Sequence, residues 1–291
     1  MTAQSLSDQI DGLIIDASGK YATQLIIVQT KLYNDLSTIL RFVDLDDNGY
    51  IKQNAGNRAI LKEAQNQFDK SIQSSIYQSA LEQHLQIIPA IDDLNNSYFE
   101  SISSAFKPNR VFIKQLQTSA LETVNSLVLQ DGLAAQVKIP LSNILNQNIN
   151  TGGSFSGMLE QVKTFIKGNE EVQGKLLSYS RNIVSDTLFQ YARAYQNSVT
   201  NDLGLVWFRY IGGIIDKSRD FCRDRNGGYF IQGEIESWAD LDWVGKNNLT
   251  TKSSIFILLG GYSCRHQLIP VSEVIVPKED INRAKELGFI N

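Results

Sequence analysis

Residues 210–230 read Tyr-Ile-Gly-Gly-Ile-Ile-Asp-Lys-Ser-Arg-Asp-Phe-Cys-Arg-Asp-Arg-Asn-Gly-Gly-Tyr-Phe, and residues 260–270 read Gly-Gly-Tyr-Ser-Cys-Arg-His-Gln-Leu-Ile-Pro. Together these segments hold both cysteines of the chain, one of its two histidines and three Gly-Gly pairs. Glycine allows backbone angles and close approaches that side chains forbid. Cysteine and histidine are the usual metal ligands and nucleophiles. We therefore expect both the C-terminal fold and any chemistry of the protein to depend on these segments.

The sequence around these segments predicts a small α+β domain over residues 204–291. Three short runs rich in aromatic and branched residues are candidate strands: Leu205–Ile211, Ser253–Leu259 and Ile269–Val276. Between them, Glu234–Trp243 is expected to be a short helical or irregular connector, and Glu279–Leu287 a closing helix.

The residues before Gly204 are predicted to be mainly helical. Apolar residues recur every three or four positions from Leu6 to Ile39, which indicates one long amphipathic helix. A second stripe runs from Ile60 to Ile91, and Pro89 is expected to kink or end it. We expect the two helices to pack as an antiparallel hairpin.

These patterns predict an α+β protein with two domains. A mainly α-helical domain would span residues 1–203, with alternative sub-boundaries near 107–110 or 149–157, and a mixed α/β domain would span 204–291. A length of 291 residues is enough for two hydrophobic cores.

The charge balance argues against a protein that coats nucleic acid. A net charge of -4 lacks the basic excess that releases counterions from a phosphate backbone, although a local basic patch with weak DNA contact stays open. Residues 1–11 include no basic segment, and no apolar run approaches the roughly 20 residues that span a bilayer. We expect a soluble protein without an export signal or membrane contact.

The segment between the first two helices partly matches a calcium-binding EF-hand loop. Asp44, Asp46 and Asn48 supply oxygen atoms at alternate positions, and Gly49 follows them. The twelfth position, which should be a bidentate glutamate, is Ala55. We therefore favour a turn whose side chains cap backbone amides over a calcium site.

Cys222, Cys264 and His266 are candidate zinc ligands. Structural zinc sites normally bring their ligands in close pairs, and only Cys264 and His266 form such a pair here. Three interpretations stay open: a zinc site, a Cys222–Cys264 disulfide, or two packed thiols, and we favour packed thiols without a cofactor. His84 lies among glutamine and alanine, so we expect it at the surface.

The sequence does not favour an enzyme. It contains no phosphate-binding loop, no His-Glu-x-x-His motif and no Gly-x-Ser-x-Gly motif. We do not expect Cys264 and His266, which are two positions apart, to pair directly, although a pair of Cys222 with His266 stays open. The charged run from Asp216 to Arg225 is interpreted as a solvated turn with internal salt bridges, with a phosphate or DNA contact as the alternative.

The elements Ser-Arg-x-Phe-Cys and Gly-Gly-Tyr-x-Cys-Arg-His, with an aromatic strand before them and an acidic, aromatic connector between them, resemble the C-terminal domain of Mu F-like phage minor head proteins. The resemblance covers Thr151 to Ile275 well and the N-terminal helices only in style. Many family members carry a second cysteine beside each of these two and so resemble a zinc site more strongly; this chain lacks both. The residues that carry the motif are Tyr210, Gly212, Gly213, Arg219, Cys222, Gly227, Gly228, Gly260, Gly261, Cys264, Arg265 and His266.

The resemblance implies a tailed-phage head morphogenesis component in the virion, inside the capsid or at the portal vertex, after assembly in the host cytoplasm. Its partners would be the portal protein and the major capsid or scaffold proteins, and its role would lie in capsid assembly, DNA packaging or genome delivery. The alternative is an injected effector or toxin-like enzyme that uses a Cys/His site, because Mu F-like domains also resemble modules of such proteins.

Overall fold

The structure, a computed structural model, describes Met1–Ile290. Two compact units make up the chain. Unit 1 contains Met1–Asp16, Ile87–Leu121 and the residues from Ser185 onward, and unit 2 contains Ala17–Gln86 and Glu122–Val184. The predicted domain boundary after residue 203 falls inside unit 1. The C-terminal residues therefore share a unit with the beginning of the chain.

The predicted helical character of the first 203 residues is confirmed. Nine helices occur there: α1 Ala3–Leu40, α2 Ala55–Ile72, α3 Ser75–Leu85, α4 Ile88–Ile102, α5 Arg110–Leu129, α6 Asp131–Leu133, α7 Ile139–Thr151, α8 Phe155–Lys167 and α9 Lys175–Leu203. A π-helical turn, Ala134–Lys138, joins α6 to α7. The α+β class is confirmed by a three-stranded antiparallel sheet that follows α9.

Unit 2 has one hydrophobic core, to which its helices contribute apolar side chains. The predicted stripe of α1 supplies Leu25, Leu32 and Leu36, each fully buried. The apolar face of α2 packs into the same cluster through Phe68. Gln67 Nε2 donates to Asp35 Oδ2 at 2.7 Å, which adds a polar link between α1 and α2.

Three details of the second helical stripe were predicted wrongly. The stripe is interrupted at Ser74, whose side chain accepts from Tyr77 N and starts α3. Pro89 lies in the first turn of α4, where a missing N–H costs nothing, so it begins a helix and does not end one. His84 is 3% exposed, and its ring packs at a tilt against Tyr21 with ring centroids 5.3 Å apart. Its glutamine-rich sequence neighbours face away from that buried side.

The sheet of unit 1 has the strand order β2-β1-β3. Its strands are β1 Trp207–Ile211, β2 Tyr229–Ile231 and β3 Gln267–Val271. Both pairings are antiparallel; Ile211 is opposite Gln267, and Trp207 is opposite both Ile231 and Val271. Four helices complete this part: α10 Asp220–Arg225, α11 Gln232–Ser237, α12 Ile255–Leu258 and α13 Lys278–Glu286. The helical connector and the closing helix are therefore confirmed.

Two of the three strand predictions need correction. Ser253–Leu259 contains the helix α12, and its buried residues Ile255, Phe256 and Leu259 follow helical spacing. A short apolar run does not distinguish a strand from a buried helical turn. The third strand covers Gln267–Val271, because its partner β1 is only five residues long, and Glu273–Ile275 forms a 3-10 turn.

Polar side chains fix β3 within unit 1. Gln196 of α9 donates to Gln267 Oε1 and to Asn95 Oδ1, both at 3.0 Å. The hydroxyl of Tyr98 in α4 donates to Pro270 O at 2.5 Å. Gln267 Nε2 in turn lies 3.4 Å from Ser7 O of α1. Three helices from distant parts of the sequence thus hold the strand that follows His266.

Candidate functional site

Three side chains that are far apart in the sequence meet in unit 1. Cys222 lies in α10, Cys264 in the turn after α12, and His266 directly before β3. Their ligand atoms all lie within 4.8 Å of one another, and all three residues are buried. Cys264 Sγ is 3.9 Å from His266 Nδ1. We call Cys222, Cys264 and His266 the Cys/His cluster.

The side chains of Cys264 and His266 come together, contrary to expectation, with Cys264 Sγ 3.9 Å from His266 Nδ1. Both residues precede β3, which begins only at Gln267. Ser263 has a φ of 57°, so the backbone turns sharply beside Cys264. Even on a strand, residues two positions apart would share a face.

Two motif glycines allow the backbone to approach the cluster closely. A Cβ atom on Gly260 would lie 2.5 Å from Cys222 Sγ and 3.1 Å from Cys264 Sγ. One on Gly212 would lie 2.6 Å from the His266 ring. Contacts under 3.0 Å essentially never occur for real Cβ atoms. These two positions therefore require glycine for as long as the cluster keeps its geometry.

The other motif glycines have different roles. Gly261 has a φ of 93°, and a Cβ there would lie 1.9 Å from Gly245 O. Gly227 and Gly228 form the turn before β2, where Gly227 N donates to Tyr210 O at 2.7 Å. No atom lies within 4 Å of a Cβ placed on Gly213, so packing does not require glycine at this position.

Aromatic rings enclose the cluster. Tyr210 of β1 is fully buried and stacks on His266, with ring centroids 5.1 Å apart and an interplanar angle of 29°. Trp238 meets Tyr210 edge to face, and Phe221 stacks on Trp243 at 4.1 Å. Burial raises the pKa of Tyr210 well above its ordinary value, so its hydroxyl stays neutral. The cluster therefore lies in an apolar environment.

The two thiols differ in their electrostatics. A hydrogen bond from Cys222, followed by the effects of His266 and Arg193, holds the pKa of Cys264 well below its usual value, although burial acts in the opposite direction. The same Cys222–Cys264 hydrogen bond, followed by burial, raises the pKa of Cys222. Cys264 is therefore the sulfur that loses its proton first, with the Cys222 thiol as donor.

Two residues of α9 that sequence reasoning missed support the turn around Cys264. Arg193 is 3% exposed, and its Nη2 donates to Cys264 O at 3.1 Å. Asp186 Oδ2 accepts from Ser263 N at 2.9 Å, and burial raises the pKa of this carboxyl to about 6. The only sequence signal was two charged residues seven positions apart, which places them on one side of a helix.

The arginines of the charged run mainly contact backbone carbonyls. Arg223 donates to the carbonyl oxygens of Ile215, Asp216 and Ser218. Arg219 Nη2 donates to Tyr262 O at 2.6 Å. Arg225 lies over the Phe221 ring at 4.0 Å. The prediction of internal salt bridges is wrong for these three residues, because carbonyl oxygens and a ring face take the place of carboxylates.

The calcium candidates lie in a turn of unit 2 whose side chains cap nearby backbone groups. Asp46 Oδ1 accepts from Asn48 N and Tyr50 N, both at 2.9 Å. Asp44 Oδ2 accepts from Asn54 Nδ2 at 2.9 Å. Asn57 is fully buried, and its side chain bonds Asp44 N, Asp44 O and Lys52 O. The prediction of a capping turn is confirmed, and we call residues 44–57 the Asx turn.

No protein-family model, curated protein or solved structure matches the chain. No helix among residues 1–290 is both long enough and apolar enough to cross a bilayer.

Proposed function

We propose that the protein is a minor head component of a tailed bacteriophage, located inside the capsid or at the portal vertex, that acts by binding other head proteins. The proposed partners are the portal protein and the major capsid or scaffold proteins, with weak DNA contact as a secondary interaction. The role would be in capsid assembly, DNA packaging or genome delivery. The sequence resemblance over Thr151 to Ile275 is the starting point of this assignment.

The observation that carries the proposal is that both motif elements meet in one buried arrangement. Cys222 comes from the first element, and Cys264 and His266 come from the second, yet their ligand atoms lie within 4.8 Å. Gly212 and Gly260 leave the space that these side chains occupy. The residues that carry the family resemblance are therefore residues that pack together in the fold. This supports the interpretation that the motif specifies a structural domain.

The burial of the cluster favours binding over catalysis. Cys222 and Cys264 are each 3% exposed, and His266 is 4% exposed. A nucleophile must reach its substrate, whereas a group that holds a fold needs no access. One observation favours the enzyme alternative: the lowered pKa of Cys264 beside His266 is typical of an activated thiol. The experiment must therefore separate the two functions.

Complementation of a phage that lacks the gene tests the assignment. Wild-type protein is expected to restore infectious particles and to be found by mass spectrometry in purified virions. His266→Ala removes a buried ring and leaves a cavity, so it should lower the thermal stability of the purified protein. The same loss of folding should reduce incorporation of the protein into heads. Gly213→Ala is the matched control and should complement fully, because no atom is close to that position.

Two results would contradict the proposal in different ways. Absence of the wild-type protein from purified virions would contradict the assignment to the phage head. A His266→Ala protein that folds normally and enters heads, yet gives no infectious particles, would contradict action by binding alone and would favour a Cys/His enzyme.

A further inference from the structure

The Cys/His cluster has donor atoms that the protein itself leaves without strong partners. His266 Nε2 is buried and has no hydrogen-bond partner among the residues that the structure describes. His266 Nδ1 faces Cys264 Sγ at 3.9 Å. Buried polar groups normally have a partner, whereas the contact that Nδ1 makes is this long one to sulfur. Two thiols and an imidazole are a donor set typical of zinc.

The distances in the cluster are close to those around a zinc ion. Zinc–sulfur bonds of about 2.3 Å and zinc–nitrogen bonds of about 2.0–2.1 Å place tetrahedral ligand atoms roughly 3.5–3.8 Å apart. The three ligand atoms here lie within 4.8 Å of one another, so small side-chain rotations would bring them into range. Gly260 keeps the space beside both sulfur atoms free of a side chain.

We propose that Cys222 Sγ, Cys264 Sγ and His266 Nδ1 bind one Zn²⁺ ion. Each thiol gives up its proton to solvent on binding, so two thiolates balance the charge of the ion. Three protein ligands leave one tetrahedral position for water. We expected a metal-free protein because Cys222 is far from Cys264 and His266 in the sequence. The fold brings α10, which carries Cys222, to the turn before β3, so this distance in sequence does not separate the ligands. Zinc binding at the Cys/His cluster does not depend on the proposed role of the protein in the phage head.

Metal analysis of the full-length protein tests the site and its two sulfur ligands. Protein purified with a reductant should contain about one zinc per chain, and cobalt should replace it with the visible absorption of a tetrahedral thiolate complex. Cys222→Ser and Cys264→Ser should each lose the cobalt band. Leu268→Ala is the matched control, since Leu268 is also buried in this core but offers no ligand, and it should keep the metal.

Other outcomes would overturn the site itself. A reduced, folded wild-type protein that gives no tetrahedral cobalt spectrum does not hold a metal at the cluster. A spectrum that persists in both cysteine variants places the metal elsewhere. A Cys222–Cys264 disulfide that forms in the presence of zinc and resists mild reduction would show the alternative chemistry of the same two sulfurs.

Discussion

The Asx turn and the Cys/His cluster both resemble metal sites in sequence, but only the donor atoms of the Asx turn have strong hydrogen-bond partners within the protein. In the Asx turn, Asp44 and Asp46 already accept hydrogen bonds from Asn54 and from backbone amides. In the cluster, His266 Nε2 is buried without a partner, and the two sulfurs have mainly each other. In the Asx turn, backbone amides and the Asn54 side chain therefore bind the carboxylate oxygens that a cation would otherwise bind.

This difference indicates how to separate a metal site from a turn that resembles one. Oxygen ligands are easily satisfied by backbone N–H groups, so a run of Asp and Asn forms a stable turn without an ion. Thiols and an imidazole in an apolar core have few such partners. The present partners of the donor atoms are therefore more informative than the residue types.

The largest effect is expected from Gly260→Ala. The new methyl group would lie 2.5 Å from Cys222 Sγ, so the cluster must move, at a cost of about 3 kcal/mol in the free energy of unfolding. Chemical denaturation would measure the loss. Gly213→Ala is the control and should change stability by less than about 0.5 kcal/mol. Equal stabilities of the two variants would mean that the backbone does not press on the cluster.

A smaller but clear loss is expected from Asn57→Ala in the Asx turn. Asn57 is fully buried, and its side chain makes three hydrogen bonds that hold Asp44 and Lys52 in place. Leaving those backbone groups without partners should cost about 2 kcal/mol. Asn48→Ala is the matched control, because Asn48 is exposed. A loss in the control as large as that in Asn57→Ala would contradict the assigned role.

The second histidine extends the comparison to pH. Burial lowers the pKa of His84 below the ordinary histidine value of about 6.5. As the pH falls below about 6.5, His84 becomes protonated in the unfolded chain but stays neutral in the folded protein. The free energy of unfolding therefore decreases until the pH reaches the folded-state pKa. Urea unfolding at a series of pH values should give a shallower decrease for His84→Gln than for wild type. The same slope in both would contradict the depressed pKa.

The smallest effect is expected from calcium. Because the oxygen atoms of the Asx turn are already engaged, millimolar calcium should leave the Tm unchanged, whereas zinc added to metal-free protein should raise it. Differential scanning fluorimetry with each ion makes the comparison directly. A saturable rise in Tm with calcium that disappears in Asp46→Ala would show that the turn binds the ion after all.

The sequence predicted those parts of the fold that depend on local pattern. The stripe of α1 and the aromatic run of β1 are long or distinctive enough to identify their elements. The strand β2 has only three residues, and α12 only four, so neither gives a reliable period. The capping role of the Asx turn was predictable because its hydrogen bonds join residues close in sequence.

The candidate site was only partly predictable. Cys222, Cys264 and His266 stood out by residue type, but their meeting depends on how α10 and the turn after α12 pack, which no local pattern encodes. Arg193 lies on a long helix, where a charged residue normally faces solvent. Only the tertiary structure reveals that it donates to the turn around Cys264.

The composition of unit 1 has a consequence for synthesis on the ribosome. Ser7 and Gln267 are neighbours in the sheet region but are separated by 260 positions in the chain. At translation rates of about 5–20 residues per second, the part of α1 that belongs to unit 1 is made on the order of tens of seconds before β3 emerges. Both segments of unit 2 are complete by then. Unit 2 can therefore fold during synthesis, whereas unit 1 must wait for the C-terminal residues.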